Sequence, residues 1–437
     1  MLYAVGGLLA LFLCLLARWQ RHIDAAERAR VLAEIGDAKA RGANRPVGQF
    51  PQVDADFCIG CASCARACPE EGVLGMVDGV VHVIQASKCI GHARCAEACP
   101  VGAITVGLGD VSSRPDIPRL GDELETTVPG VYIAGELGGM ALIRSAVEQG
   151  TRVMEAIAGR VRSAPSAPDV PDVLIAGAGP AGLAATLKAI ELGLSYVTVD
   201  QSDIGGTVRK YPRRKLVMTQ PVELPLYGRL RRSEYRKEEL IDLWDDVIRR
   251  HRVRIRAGVK LLGASRSNGH LEVETSNGPI QSRFMVLALG RRGIPRRLGV
   301  AGEEHEKVLY QLIDAATYTG QHVLVVGGGD SAVEAAMALA EQPGNAVTLS
   351  YRKSAFFRLK KRNEERIGPY VQEGRIRLLF SSHVRRIGVG EAILTAGDGE
   401  PSEVRLPNDY VFVFAGGEPP YPLLKQMGIR FWKEEAA

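Results

Sequence analysis

No cysteine occurs after Cys99 in this chain of 437 residues. That absence excludes a redox-active cysteine pair anywhere from residue 100 onward, because thiol–disulfide exchange needs two thiols. Cys14 alone precedes Cys58, so the other seven cysteines lie between residues 58 and 99. Disulfides would suit a small secreted chain; a dense cluster inside a long one points to metal and to a reducing compartment. Aromatic residues are scarce, at 6%, against 49 glycines. This argues for a glycine-loop-rich α/β protein over an all-β one. A large excess of charge of one sign is also lacking. The net charge of +5 is too mild to imply a nucleic-acid surface, and solvated basic residues explain it.

No Lys or Arg precedes the charge-free run Leu2–Ala17, "LYAVGGLLALFLCLLA", so the basic start of a signal peptide is missing. At 1.5 Å per residue the run spans about 24 Å, short of a ~30 Å hydrocarbon core, and Met1 and Trp19 extend it a little. Arg18, Arg21, Arg28 and Arg30 follow it. The positive-inside tendency then predicts a single-pass anchor over residues 1–20 in the inner (cytoplasmic) membrane, with the soluble domains on the cytoplasmic side. The alternative is a buried or interfacial N-terminal helix. Residues 21–50 read as a polar juxtamembrane helix and a Pro/Gly-broken linker. A second linker, residues 161–171, carries most of "SAPSAPDVPD". Beyond it strands and helices alternate, as in parallel α/β domains.

What the chain does have is a repeat. "CIGCASCARACP" occupies residues 58–69 and "CIGHARCAEACP" residues 89–100. The first copy fits C-x₂-C-x₂-C-x₃-C-P, a bacterial iron–sulfur run whose fourth Cys ligates the other cluster. By that rule Cys58, Cys61, Cys64 and Cys99 hold one 4Fe–4S cluster. Cys89, Cys95 and Cys68 hold a second, with His92 at the remaining ligand position. Two readings of His92 stay open. It ligates the fourth iron as a neutral imidazole, which removes one negative charge and raises the cluster's potential. Or the corner is empty, the cluster is 3Fe–4S, and His92 lines it. Residues 51–107 thus resemble two-cluster ferredoxins.

Two glycine fingerprints follow. "VLIAGAGPAGLAA", residues 173–185, is a buried strand, then Gly177, Gly179 and Gly182, then a helix opened by Pro180 and Ala181. The glycines permit a tight turn and close approach of a pyrophosphate to the helix N-terminus. The next strand ends in Asp200, placed to bind a ribose hydroxyl. "VLVVGGGDSAVEAA", residues 323–336, repeats the device with Gly327, Gly329, Asp330, Ser331 and Ala332. Its second strand ends in Tyr351, Arg352 and Lys353; a cationic pair there suits the 2′-phosphate of NADPH rather than NADH.

Two such fingerprints resemble the two-dinucleotide-binding flavoproteins, and most of all the thioredoxin-reductase group with bacillithiol disulfide reductases and ferredoxin–NADP reductases. The resemblance covers roughly residues 108–420. It implies FAD in the first fold and NAD(P)H in the second. "DIGGTV" (203–208), with Gly205, Gly206 and Thr207, resembles the loop passing near the flavin. "LALGRRGIP" (287–295) and "VFVFAGGEPP" (411–420) resemble the crossovers bracketing the NAD(P)H domain. The closing strand and helix of such FAD domains normally come last. Here "TTVPGVYIAGE" (126–136) and "LIRSAVEQG" (142–150) stand before the first fingerprint, so the FAD domain resembles a circularly permuted one. Gly135 and Glu136 then fall where Gly-Asp would meet the ribityl chain. Arg144, Ser145 and Ala146 start the helix whose positive end faces the flavin's pyrimidine carbonyl. The Cys-x-x-Cys of thioredoxin reductases is missing, which excludes a dithiol relay through FAD but not direct reduction of a small disulfide. "YPRRKLVMTQPVELPLYG" (211–228) is expected over the flavin or at the domain junction.

The expected fold class is α/β, with two Rossmann-like dinucleotide-binding domains preceded by an α+β ferredoxin domain and an N-terminal transmembrane helix. The expected FAD domain spans residues 108–160 and 172–294, the NAD(P)H domain 295–418, and a tail 419–437. The expected function is a membrane-anchored relay from NADPH through FAD to two iron–sulfur clusters and on to an external acceptor, either a protein or a small molecule. The alternatives are an NADPH-dependent low-molecular-weight disulfide reductase of the bacillithiol type, and a redox-sensing or scaffold flavoprotein with little turnover. Hydride transfer needs no side-chain acid or base, so no catalytic residue is named. The resemblance also implies a homodimer.

Overall fold

The computed structural model describes residues 2–46, 48–111, 114–140, 142–163, 169–267, 269–291, 293–356, 359–397, 399 and 402–433; of residues 2–11 and Met218 only the backbone is described. The middle of the second linker, residues 164–168, and the last four residues lie outside that set. The chain divides into two units, Met1–Gly109 and Asp110–Ala437.

The first unit opens with one unbroken helix, α1, Leu2–Ala40. Nothing stops it between residues 17 and 40: that stretch has no Pro and one Gly, Gly36. This corrects the expected transmembrane helix and the inner-membrane location. Among the described residues no helix is long and apolar enough to cross a membrane. Charges enter the same helix at Arg18, and its far end is a packing element. Val31, Ala38 and Ala43 are buried against Val77 and Ile84.

The rest of this unit is small and built twice. β1 (Phe50–Val53) pairs antiparallel with β4 (Ile104–Gly107), and β2 (Leu74–Val77) with β3 (Val80–Val83). Each cysteine run bends into a short helix, α2 (Ser63–Ala67) or α3 (Arg94–Glu97). Each helix follows an alanine held left-handed, Ala62 at φ 57° and Ala93 at φ 62°. The core includes two of the repeat cysteines: Cys64 and Cys95 are buried with Val73, Leu74, Val81 and Ile104.

The second unit holds two five-stranded parallel sheets. The first runs Ile255–Ala257, β7 (Tyr196–Asp200), β6 (Val173–Ala176), Phe284–Leu287, β5 (Val131–Ile133). All four residues of β6 are buried, as both faces of a parallel sheet should be. β5 precedes β6 in the chain yet sits beyond Phe284–Leu287, pairing Met285 with Val131 and Leu287 with Ile133. The helix after β5, α4 (Ile143–Arg162), packs on α5 (Pro180–Glu191). Their crossing is close because Gly150 has no side chain: a Cβ there would lie 2.2 Å from the Ala181 carbonyl oxygen.

The second sheet runs Val308–Leu309, Tyr410–Val413, His322–Val326, Ala346–Ser350, Ile376–Leu379. The strand–helix alternation read from the sequence is interrupted twice by three-stranded antiparallel sheets, one over residues 261–282 and one over 382–407. The two crossovers meet where Ile294–Pro295 pairs with Gly417–Glu418. Residues expected as a tail fold back: Leu424, Met427, Ile429 and Phe431 are buried with Val131, Leu174 and Leu287.

Candidate functional site

In the first unit, Cys58, Cys61, Cys64 and Cys99 line one cavity, floored by Met76, Val81 and Ile104. Three thiols of one run and the last of the other therefore converge. Ser63 hydrogen bonds lower the Cys61 thiol from its ordinary range, and Arg66 braces the loop by donating to the Cys61 carbonyl at 2.8 Å. Burial raises Cys64 of the same set, and the effect is larger in the second set. Burial pushes the Cys89 and Cys95 thiols up to about 11, and Cys68 adds to both shifts. Buried thiolates so close together need a compensating cation, and metal coordination supplies it by deprotonating the thiol outright. Backbone amides already point at two sulfurs: Gly91 N–H donates to Cys89 Sγ at 3.3 Å and Ala103 N–H to Cys99 Sγ at 3.2 Å. Such bonds tune cluster potentials. Among the described residues no three acidic, His or Cys side chains are arranged for a single metal ion. The donor set fits clusters, which spread their ligands around a larger body. The repeats differ in access: Cys61 is exposed, whereas His92, its counterpart, is 3% exposed.

In the second unit the three glycines of the first fingerprint each do a separate job. Gly177 turns at φ 109°, where a Cβ would lie 2.4 Å from the Ala288 carbonyl oxygen. A Cβ on Gly182 would lie 1.7 Å from the Gly177 oxygen, so its absence sets helix against strand. A Cβ on Gly179 would meet nothing within 4 Å; this is the open side, at the N-terminus of α5, where Pro180 and Ala181 begin the helix. The site residues from both sides of the linker come together here. A Cβ on Gly135 would sit 3.0 Å from the Ala181 Cβ and 3.8 Å from that of Ala146. Gly205 N–H donates to the Ala178 carbonyl at 2.9 Å, a Cβ on Gly206 would approach the Gly179 Cα to 3.0 Å, and Thr207 continues the short helix Gly206–Arg209. Ser145 lies in the first turn of α4.

Three residues are placed less simply. Asp200, 9% exposed, accepts from Ala178 N–H and from Ser202 N–H, each at 2.7 Å. It braces the glycine loop, while a carboxylate's several lone pairs leave capacity for a ribose hydroxyl. Glu136 is half-buried in the turn after Gly135. Arg144 pairs with Glu148 at 2.8 Å along the surface of α4. Gln149, which no sequence signal marks, fixes the turn by accepting from Gly135 N–H at 2.7 Å.

The second fingerprint repeats the arrangement. Gly327 has φ 147° and faces the Phe414 carbonyl, Gly329 is open, and Ala332 is fully buried in the third place. Asp330 and Ser331 start the helix Asp330–Ala340. Asp330 accepts from Lys360 N–H at 3.1 Å and from Asn363 Nδ2 at 2.7 Å. The Tyr351 ring lies against Gly328, 2.3 Å from where a Cβ would stand. Arg352 and Lys353 follow it and are exposed. Tyr351 as a ring over the loop and Asn363 as its brace are visible only in three dimensions. The 211–228 stretch lies at the junction of the two nucleotide folds: Lys215 pairs with Glu334 at 2.8 Å and Arg213 with Asp314 at 3.4 Å.

Comparison with known proteins agrees with this division. Residues 174–436 match the pyridine nucleotide-disulphide oxidoreductase family and residues 50–100 a 4Fe-4S dicluster domain. A ferredoxin–NADP reductase of Ignicoccus hospitalis is 30% identical, over 60% of this chain and 83% of its own. A bacilliredoxin reductase of Bacillus subtilis is 25% identical, over 60% and 81%. Among solved structures, a bacillithiol disulfide reductase from Bacillus cereus superposes with TM-score 0.53 at 25% identity, covering 60% of this chain and 82% of that one.

Proposed function

The chain belongs to the pyridine nucleotide-disulphide oxidoreductase family, and from that premise we propose that it passes electrons from NADPH to an external one-electron acceptor, using FAD and two iron–sulfur clusters as carriers. The observation that carries this reading is the convergence of Cys58, Cys61, Cys64 and Cys99 on one cavity, in a chain that also has two open glycine loops. When bound, a flavin would exchange hydride with NADPH and single electrons with iron, which is the cofactor's own chemistry. The protein's part is positioning. Gly179 and Gly329 leave room for pyrophosphates at helix N-termini. Gly135 and Ala146 complete the first cradle from the permuted segment. Arg352 and Lys353 would recognise a 2′-phosphate, and the 4Fe–4S or 3Fe–4S choice at the second site rests on His92.

A second reading, an NADPH-dependent reductase of low-molecular-weight disulfides, is favoured by the similarity to a bacillithiol disulfide reductase. One experiment separates the two. Replacing Cys58 and Cys61 with Ser should cut NADPH-driven reduction of cytochrome c at least tenfold while NADPH still bleaches the flavin. Unchanged cytochrome c reduction, or NADPH-dependent turnover of bacillithiol disulfide by the cluster-depleted protein, would favour the second reading.

A further inference from the structure

The loop that carries His92 is held by a side chain outside both cysteine runs. Gln49 is 2% exposed. Its Nε2 donates to the Gly91 carbonyl at 3.1 Å and reaches the Ile90 carbonyl at 3.5 Å. Gly91 has φ 79°, and a Cβ there would lie 1.8 Å from Gln49 Nε2. Side chain and loop are therefore interlocked: Gly91 must be glycine for backbone and for space. The other end of the amide, Oε1, is buried with no hydrogen-bond partner, which in a folded protein calls for an explanation such as a missing ligand or its ligating group. The first repeat is held differently, from within, by Arg66 donating to the Cys61 carbonyl at 2.8 Å. Its equivalent glycine, Gly60, packs against the Gly79 backbone, 2.5 Å from its carbonyl oxygen to a would-be Cβ, and the loop leaves Ile59 63% exposed.

We propose that Gln49 is the positioning residue for the His92 corner of the second iron–sulfur site. Its donor end fixes the backbone between Cys89 and His92. With Gly91 locked against it, the residue next in the chain, His92, is held 3% exposed, and ligand orientation set from outside the ligand shell is what tunes a metal site. The corner is thereby set apart from that of Cys61, and the two clusters are made unequal by a residue no cysteine pattern reveals.

This rests on the two-cluster reading, and the test keeps the two apart. Full-length protein, reconstituted anaerobically, is compared by paramagnetic resonance and redox titration as wild type, Gln49→Leu and Gln49→Glu, with Gln85→Leu as a buried-glutamine control. The expected result is a wild type with two distinguishable cluster signals and Gln49 variants in which only the second shifts in line shape or potential or is lost. Gln85→Leu leaves both as in wild type. Two signals unchanged in the Gln49 variants, or both declining in parallel as in a folding defect, would overturn the role of Gln49 alone. A wild type with one cluster would overturn the two-cluster reading and the proposal together. If Gln49→Leu does not fold, Gln49→Glu carries the test, since it keeps the volume and removes the donor to Gly91.

Discussion

Gly179 and Gly182 stand three residues apart and should fail differently when given a side chain. A Cβ on Gly182 collides with backbone, while one on Gly179 points into empty space. Gly179→Ala should therefore change apoprotein stability by no more than about 1 kcal/mol and still lower the bound flavin. Thermal melting of apoprotein and the flavin-to-protein ratio check this; full flavin content would mean the pyrophosphate does not lie there. The glycine fingerprints were legible in the sequence because their demand is local: a turn, an approach, a packing distance. Asp200 was legible as an important acid, but its observed partners are the amides of the loop it braces. Gln49, Gln149 and Asn363 were not legible. Their partners lie 42, 14 and 33 residues away, and a single glutamine or asparagine carries no periodic signal.

At the scale of elements, α1 shows why a hydrophobic run is not a structural unit. The apolar stretch ends at Ala17, but a helix ends only where capping or a breaker ends it, and this one continues to Ala40. Val31, on its later part, is 1% exposed, and it closes over Gly75, where a Cβ would come within 3.0 Å of it. Val31→Asp buries a carboxylate there and should destabilise the dicluster unit by about 3 kcal/mol. Urea unfolding followed by loss of the cluster absorbance measures it, and an unchanged midpoint would show that α1 is not part of that fold. β5, expected from "VYIAGE" as a permuted closing strand, lies beside Phe284–Leu287 in the first sheet. The two antiparallel sheets over residues 261–282 and 382–407 were not legible, because reading the region as alternating strands and helices of a parallel fold gives no reason to expect neighbouring strands that pair with one another.

At the scale of the whole flavoprotein unit, distant segments are tied at Asp116. Burial alone would raise its carboxyl, but hydrogen bonds from Arg114 and Arg291 outweigh that and hold it at about 2 against an ordinary 3.8. Arg291 reaches it at 2.5 Å and also donates to the Tyr421 hydroxyl, so the guanidinium of the first crossover ties Asp116 to the helix Tyr421–Gln426. The folded value is depressed, so the stabilisation is full above about pH 4 and is lost as pH falls toward 2. Asp116→Asn should lower stability by about 2 kcal/mol at pH 7, and the difference from wild type should shrink as acid unfolding is followed downward through that window. A difference independent of pH would assign the effect to packing instead.

The central claim is that this one chain carries electrons from a pyridine nucleotide to iron. Anaerobic titration of the full-length holoprotein with NADPH, followed by visible absorption and paramagnetic resonance, tests it most directly. The prediction is a yellow protein whose flavin bleaches and whose cluster signals change within the first equivalents of NADPH. Protein without a flavin, or iron centres that stay oxidised while NADPH is in excess, would contradict it.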